Sequence, residues 1–178
     1  MTVEIPEKKI YCFDSSAFIS INRADASVIK LPDEIWEEID SMMKSGNIIS
    51  HEIVFDEICS KKSTDFLSKW IIDKKPYFLS TTQSQADIVA DIIKKFPSII
   101  DYKAEKEQAD PWLISLAIET AKNTTLFAVN ISIVVSQENP NSSKKIPAVC
   151  KQFKVKHMSL REFFDDIGVS TKLVKDHS

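Results

Sequence analysis

The sequence predicts an α/β fold in which a mostly parallel β-sheet is covered by helices on both faces. Short apolar runs alternate along the 178-residue chain with longer segments whose apolar residues recur at helical spacing. Short, wholly apolar strands favour a parallel sheet, because helices cover both faces of such a sheet. The sequence contains no repeat, low-complexity tract or linker. We therefore expect a single three-layer α/β/α domain over residues 1–168, followed by a flexible C-terminal tail over 169–178.

The first half of the chain opens with a buried strand, KIYCF (9–13), and a helix (15–23) follows it directly. A second helix is predicted over 33–45, because Pro32 and Asp33 mark a helix start and Gly46 marks an end. The short strand NIIS (47–50) comes next. Three further segments then show helical spacing: 51–61, 63–74 with Ser63 or Thr64 as its cap, and 84–96.

The second half continues the alternation. Asp110 and Pro111 are predicted to begin a helix over 110–122, with Asp at the N-cap and Pro at the first helical position. The apolar run 125–136 is rich in the β-branched residues typical of a strand. The remaining predicted elements are a short helix (146–153), a short strand (155–159) and a last helix (160–168).

Composition narrows the possible classes of function. The net charge of −3 argues against a protein that coats nucleic acid without sequence preference, because such a protein needs an excess of Lys and Arg. Only two glycines occur, so the glycine-rich phosphate-binding loops of nucleotide-binding folds are excluded. The cysteines, Cys12, Cys59 and Cys150, lie far apart and predict reduced core thiols rather than disulfides or a zinc site.

Neither a membrane span nor an export signal is indicated. No apolar run approaches the ~20 residues that a membrane-spanning helix needs. The N-terminal segment MTVEIPEKKIYCF lacks the long apolar stretch and the small-residue cleavage site of a signal peptide. We therefore expect a cytoplasmic protein with no membrane association.

Two aspartates lie at element boundaries. Asp14 directly follows the first strand, at the edge where parallel sheets bind ligands. Asp110 stands before Pro111 at a helix start. Either residue also fits an ordinary capping role, because Asp is a favoured N-cap residue. A cap with a free carboxylate oxygen can still bind a cation, so the two interpretations of Asp110 are compatible.

Two glutamates are further candidates. Glu57 lies four residues after Ile53, at the border of an apolar helix face, and is either directed toward a site or exposed. Glu138 stands where an apolar strand ends and is otherwise an ordinary loop glutamate. Spacing alone does not prove that the four carboxylates converge. If they do, Mg²⁺ or Mn²⁺ would relieve their repulsion, ionise a water and stabilise charge on a phosphorus centre.

The segments YCFDSSAFI, VFDEI, ADPWLISLA and VVSQE, in this order, resemble the PIN-domain family and its VapC-like branch. The resemblance covers residues 9–168 and includes the KIPAVC segment, the short strand after it and the FF helix. Each motif is only a few residues long, so the match depends on their order and spacing and on the scarcity of glycine. The resemblance implies a parallel sheet sandwiched by helices and metal-dependent hydrolysis of RNA phosphodiester bonds by an acidic cluster.

The resemblance also implies roles for individual acids. Asp14, Glu57 and Asp110 match the first three acidic motifs of the family. Ser136 and Glu138 match the Thr-x-Asp of the fourth, with Ser in place of Thr and Glu in place of Asp. By this analogy Asp14 and Asp110 bind one Mg²⁺ (or Mn²⁺), Glu57 shares it, and Glu138 positions a second metal or a metal-bound water.

Substrate contacts are expected from hydroxyl and basic side chains. Ser16 matches a small polar residue of the family, placed where its hydroxyl supports a ligand or a phosphate, and Ser136 is the second hydroxyl candidate. The segment 139–161 contains no acidic residue but several basic ones. It is either a solvated surface or an edge that contacts flanking phosphates, with Lys144 and Lys145 nearest the acidic motif.

Two classes of function remain open. The first is an endoribonuclease that is the toxin of a type II toxin–antitoxin pair, with an antitoxin protein whose Arg or Lys plugs the acidic cleft. Homodimers are common in the family it resembles, and the helices 33–45 and 84–96 are candidate interfaces. The second is a PIN-like scaffold with little or no activity that binds RNA or protein, which the glutamate at position 138 keeps open. Stabilisation by Mn²⁺ separates them, because only a real metal site gains stability.

Overall fold

The structure is a computed structural model that describes residues 5–23, 29–30, 34–60, 66–104, 107–123, 128–139, 141, 145–169 and 172–173. The strands in these ranges are Glu7–Phe13 (β1), Ile29–Lys30 (β2), Ile48–His51 (β3), Phe78–Leu79 (β4), Val129–Val135 (β5), Lys156–Met158 (β6) and Lys172–Leu173 (β7). The α-helices there are Ser15–Asn22 (α1), Ile35–Lys44 (α2), Glu52–Ser60 (α3), Phe66–Trp70 (α4), Gln83–Lys95 (α5), Ala109–Lys122 (α6), Ile146–Gln152 (α7) and Leu160–Asp166 (α8). Short 3-10 helices occupy Ile71–Tyr77 and Pro97–Ile99.

A five-stranded parallel sheet forms the centre of the described fold. Its strand order is β4-β3-β1-β5-β6, and each neighbouring pair is parallel. The central pair is the longest: β1 and β5 are in register from Glu7 opposite Val129 to Phe13 opposite Val135. The prediction of a mostly parallel central sheet is therefore confirmed.

Successive residues of β1 contact different helical layers. Tyr11 and Phe13 each meet the ring of Phe163 in α8 edge-on, with ring centroids 4.9 Å apart. Cys12, which lies between them, is fully buried, and its thiol lies close enough to Cys150 in α7 to help raise the pKa of that thiol. Neighbouring strand residues point to opposite faces of a sheet, so helices cover both faces. The three-layer α/β/α architecture follows, as predicted.

Helix α6 lies against the sheet and is apolar around most of its circumference. It packs on β1, β3 and β5 and on the neighbouring helix α5. Leu113, Ile114, Leu116 and Ala117 are all fully buried. Such burial holds the helix rigidly, and its first turn is thereby fixed above the carboxyl edge of the sheet.

Several boundaries differ from the sequence-based prediction. Helix α2 begins at Ile35, two residues later than expected. The predicted helix 63–74 is divided into α4 and a 3-10 helix, because the i→i+3 pattern prevails from Ile71 onward and Pro76 follows. The proposed caps Ser63 and Thr64 lie outside the described residues.

The structure describes only part of the predicted C-terminal tail. Lys172 and Leu173, within the predicted tail, pair antiparallel with Lys30 and Ile29. Most of segment 169–178 lies outside the described residues, so its flexibility stays a prediction. Among the helices of the described ranges, none has the length and apolar character needed to cross a bilayer.

Candidate active site

The order of the strands creates a crevice at the boundary between β1 and β5. The chain passes from β1 to β3 and β4 on one side, then returns to β5 and β6 on the other. In parallel α/β sheets, ligands bind beyond the carboxyl ends of the strands at such a switch point. Asp14 follows β1 and Ser136 follows β5, so the two residues flank the crevice. The N–H of Asp14 also donates to the carbonyl of Val135 at 3.0 Å, which joins the two strand ends.

Asp14 is both a helix cap and a buried acid. Its Oδ2 accepts the backbone N–H of Ser16 at 3.0 Å and the Ser16 hydroxyl at 2.5 Å, which is the N-cap geometry of α1. The residue is nevertheless only 4% exposed. Burial raises the pKa of the Asp14 carboxyl, the hydrogen bonds from Ser16 oppose the rise, and the charge of Glu138 adds to it. The capping role predicted as an alternative is therefore present, together with an acid at the crevice.

Asp110 approaches the same crevice from the start of α6. Helix α6 begins at Ala109, so Asp110 lies in the first helical turn, and the predicted N-cap position is wrong. The pKa of its carboxyl is raised to about 7, chiefly by burial and then by the charges of Asp14, Glu138 and Glu57. The charge of Lys145 opposes the rise. Such mutual repulsion requires four carboxylates, from four separate segments, to lie in one electrostatic neighbourhood.

Glu57 connects the candidate site to the helix that carries Asp110. It lies in α3, and its Oε1 accepts the backbone N–H of Ala109 at 3.1 Å. Ala109 has no intrahelical partner for this N–H, because it is the first residue of α6. The contact satisfies that donor and holds α3 and the first turn of α6 together, which explains why α6 needs no side-chain cap of its own.

Glu138 uses both of its oxygens. Oε1 lies 3.2 Å from the Nζ of Lys145, and Oε2 accepts the backbone N–H of Ile146 at 2.8 Å. Its side chain is 16% exposed. The loop after β5 is thereby closed onto the residues that begin α7.

The predicted substrate-binding serines act within the protein in this structure. The Ser16 hydroxyl donates to Asp14 and accepts the N–H of Gln137 at 3.0 Å, which links α1 to the loop after β5. Ser136 is fully buried, and its Oγ lies 2.9 Å from the Nε2 of His157. Direct contact of these serines with a substrate stays a prediction. Of the two basic candidates for substrate contact, Lys145 pairs with Glu138, and Lys144 lies outside the described residues.

The donor chemistry of the crevice fits a hard divalent cation. It offers carboxylate oxygens, which Mg²⁺ and Mn²⁺ prefer, and these carboxylates repel one another. No three Asp, Glu, His or Cys side chains among the described residues are already arranged as a metal-binding group. Glu57 and Glu138 instead hold Ala109, Ile146 and Lys145. Asp14 and Asp110 are therefore the candidate first ligands, and Glu57 and Glu138 would join only after a change of rotamer.

Two histidines support the site although no ligand spacing singled them out. His157 bonds Ser136, and burial lowers the pKa of its imidazole. His51 is fully buried, and its Nδ1 accepts the N–H of Ile53 at the start of α3. The only sequence signal for His51 was its place at the end of a short apolar strand.

The comparisons with known proteins give a family and a distant neighbour. A family model described as "Domain of unknown function (DUF4411)" matches residues 11–171. Among curated proteins, no match was found. Among solved structures, the chain is similar to one of VapBC2 from Rickettsia felis, whose crystal structure is described as bound to a DNA fragment from their promoter. The identity is 12%, the match covers 84% of this chain and 98% of that chain, and the TM-score is 0.48.

Proposed function

The chain belongs to the DUF4411 family, whose description assigns no function, and we propose that it is a cytoplasmic PIN-type endoribonuclease that depends on Mg²⁺ or Mn²⁺. The observation that carries the proposal is the repulsion felt by Asp110 from Asp14, Glu138 and Glu57. Acidic side chains from four segments are concentrated at the switch point of a parallel sheet, where the charge of a divalent cation would stabilise them. Strongly perturbed carboxyl groups of this kind are typical of functional sites.

Different residues of the site would have different roles in phosphodiester hydrolysis. Asp14 and Asp110 would hold the metal ion, with Glu57 sharing it. When bound, this ion supplies an ionised water and neutralises charge on the phosphate. Ser16 keeps the Asp14 carboxylate in one orientation through its two hydrogen bonds. We propose that no histidine acts as the base.

The RNA would lie across the carboxyl edge of the sheet. Lys145, and Lys144 beside it in the sequence, would contact its phosphates, because ammonium groups bind phosphate as point charges. Ser16 and Ser136 would contribute by holding the loop that carries Glu138, since both bond partners within the protein.

The toxin role is proposed from the motif resemblance. A cognate antitoxin would insert an Arg or Lys among the carboxylates, where a charge-assisted hydrogen bond is strong. A homodimer is proposed on the same ground. Induced expression of the wild type and of Asp14→Asn in a bacterial host tests this role: growth arrest by the wild type alone is expected, and equal growth would contradict it.

Cleavage of a structured RNA tests the enzymatic proposal directly. The wild type should cleave with Mg²⁺ or Mn²⁺ and stop when a chelator is added. Asp14→Asn should lose activity by about 10³-fold, because a metal ion supplies several kcal/mol of transition-state stabilisation. Asp165→Asn is the matched control, since Asp165 is exposed in α8 and its loss should leave the rate unchanged. Cleavage that survives chelation, or an active Asp14→Asn, would refute the proposal.

The second candidate is a scaffold that binds RNA or protein without cleaving it. It is favoured by the engagement of both Glu138 oxygens and by the absence of a ready three-ligand group among the described residues. Mn²⁺ at 100 times its Kd stabilises a real site by about 2.7 kcal/mol. A scaffold would show no such shift in thermal unfolding and would bind RNA equally well with and without metal.

A further inference from the structure

We propose that Lys145 is the built-in second cation of this site, so that the crevice binds one divalent metal ion rather than two. The inference rests on the proposed nuclease function and deepens it. It assigns the number of metal ions and gives Lys145 a place beside the scissile phosphate.

Each oxygen of Glu138 already has a partner in its own chain. The fourth acid of the cluster would be the natural ligand of a second metal, but Lys145 occupies Oε1 at 3.2 Å and the Ile146 N–H occupies Oε2 at 2.8 Å. A second metal ion at Oε1 would have to compete with the ammonium group of Lys145 and would be repelled by its positive charge. The acid at this position therefore holds an ammonium group instead.

The fold fixes the backbone of Lys145. Its carbonyl accepts the N–H of Ala148 at 3.1 Å and of Val149 at 3.3 Å, so it forms the first turn of α7. Ile146, the next residue, is fully buried and anchors this turn in the core. The Lys145 side chain is itself 54% exposed, so its Nζ can face both Glu138 and a substrate that enters from solvent.

The charge of Lys145 reaches the other acids as well. It opposes the rise in the pKa of Asp110, and Glu138, Asp110 and Asp14 together raise the pKa of the Lys145 ammonium. The ammonium group therefore acts on the other acids of the cluster as well as on Glu138. Its position is that of a counter-ion for the crevice rather than that of a solvated surface lysine.

An ammonium group can replace a metal ion in this role. In sites with two metal ions, the second ion neutralises charge on the phosphate and on the leaving oxygen. A lysine ammonium is a compact point charge with three donors, and it binds phosphate oxygens in the same way. Lys145 would thus supply positive charge to the phosphate in addition to the metal ion that Asp14 and Asp110 would hold.

Counting bound Mn²⁺ ions by calorimetric titration and electron paramagnetic resonance tests the inference on the full chain. We expect one ion per chain for the wild type. Lys145→Met removes the charge and frees Glu138 Oε1, so it should bind two ions. Lys145→Arg keeps the charge and should bind one. Lys122→Met, an exposed lysine at the far end of α6, is the matched control and should also bind one. Circular dichroism would verify that each variant is folded.

The outcomes separate this inference from the proposed function. Two ions on the wild type, or one on a folded Lys145→Met, would overturn the role of Lys145 while the metal-dependent nuclease stands. No ion on the wild type would overturn both. Activity gives a second readout: Lys145→Met should lower kcat more than it raises KM, and Lys145→Arg should restore most of the loss.

Discussion

Two groups of buried polar side chains share helix α6 and differ in how their charges are balanced. At the beginning of the helix, Asp110 faces other carboxylates and its pKa is raised. Farther along, Glu119 accepts hydrogen bonds at both oxygens, from Gln85 at 2.6 Å and from Thr82 at 2.7 Å. Asp110 is therefore repelled by neighbouring carboxylates, whereas Glu119 is bound by hydrogen-bond donors.

A series of hydrogen bonds, here called the relay, runs from the Ile53 N–H through His51 and Gln85 to Glu119. His51 Nδ1 accepts the Ile53 N–H at 3.2 Å, so the proton of the neutral ring lies on Nε2, which donates to Gln85 Oε1 at 3.1 Å. Burial lowers the pKa of His51 and keeps the ring neutral. His51 also stacks on Trp112 of α6, with ring centroids 5.5 Å apart. The relay joins α3, α5 and α6 through successive hydrogen bonds.

The comparison separates polar groups that stabilise the fold from polar groups that are available for chemistry. A satisfied buried network specifies one arrangement of its helices. A cluster of like charges destabilises the folded chain, and it persists where a ligand can relieve the repulsion. The relay holds α3 and α6, and these helices carry Glu57 and Asp110. The relay therefore helps to position the two helices that carry acids of the repelling cluster.

The largest expected effect is on catalysis, where the two acids of α6 should behave differently. Asp110→Asn should reduce Mn²⁺-dependent RNA cleavage by about 10³-fold, because it removes a metal ligand. Glu119→Gln should change the rate by less than about threefold while it lowers the free energy of unfolding by about 1 kcal/mol. Initial rates on one RNA, with urea unfolding of the same samples, measure both. Equal loss of activity in the two variants would contradict the different roles proposed for Asp110 and Glu119.

The next effect is the stability of the relay. Gln85→Leu should lower the free energy of unfolding by about 2 kcal/mol, because it leaves His51 Nε2 buried without a partner and removes the hydrogen bond to the part-buried Glu119 Oε2. Gln83→Leu, at an exposed position of the same helix, is the matched control and should remain within about 0.5 kcal/mol of the wild type. Urea denaturation measures both. A Gln85→Leu as stable as its control would show that the relay contributes little.

The third effect is the pH dependence of the metal-free protein. The folded-state pKa of Asp110 is about 7, above its ordinary value of 3.8, so the folded state binds more protons than the unfolded state between these values. Stability should therefore fall as the pH rises through this window. Asp110→Asn lacks this group, so at pH 8 it should be more stable than the wild type by about 2 kcal/mol, with little difference near pH 4. Thermal unfolding in chelator measures the difference. A constant offset across pH would contradict the raised pKa of Asp110.

The smallest effect concerns the link between Asp14 and the loop after β5. Ser16→Ala removes the hydroxyl that joins Asp14 to Gln137, and it should cost about 1 kcal/mol of stability and a few-fold in cleavage rate. Ser41→Ala, on the exposed side of α2, should change neither. If Ser16→Ala and Ser41→Ala have the same stability and the same cleavage rate, the proposed link is contradicted.

The sequence predicted the layers of the fold more completely than it predicted the surroundings of the four candidate acids. Apolar runs such as 9–13 indicated parallel strands, because hydrophobic patterning is a local property. The division of segment 63–74 into α4 and a 3-10 helix, and the helix start at Ala109, were not predicted. The helix start depends on a distant part of the chain, because Glu57 accepts the N–H of Ala109.

By itself, the sequence determined to within a few residues where strands end and helices begin, and thus that Asp14 and Asp110 lie near element boundaries. Only the tertiary structure decided that these acids repel one another, that Glu138 is held by Lys145, and that His51 belongs to a relay. Residue type and periodicity act over a few positions along the chain. Charge repulsion, burial and hydrogen bonding act across space, so they exist only once β1, β3 and β5 have been brought side by side.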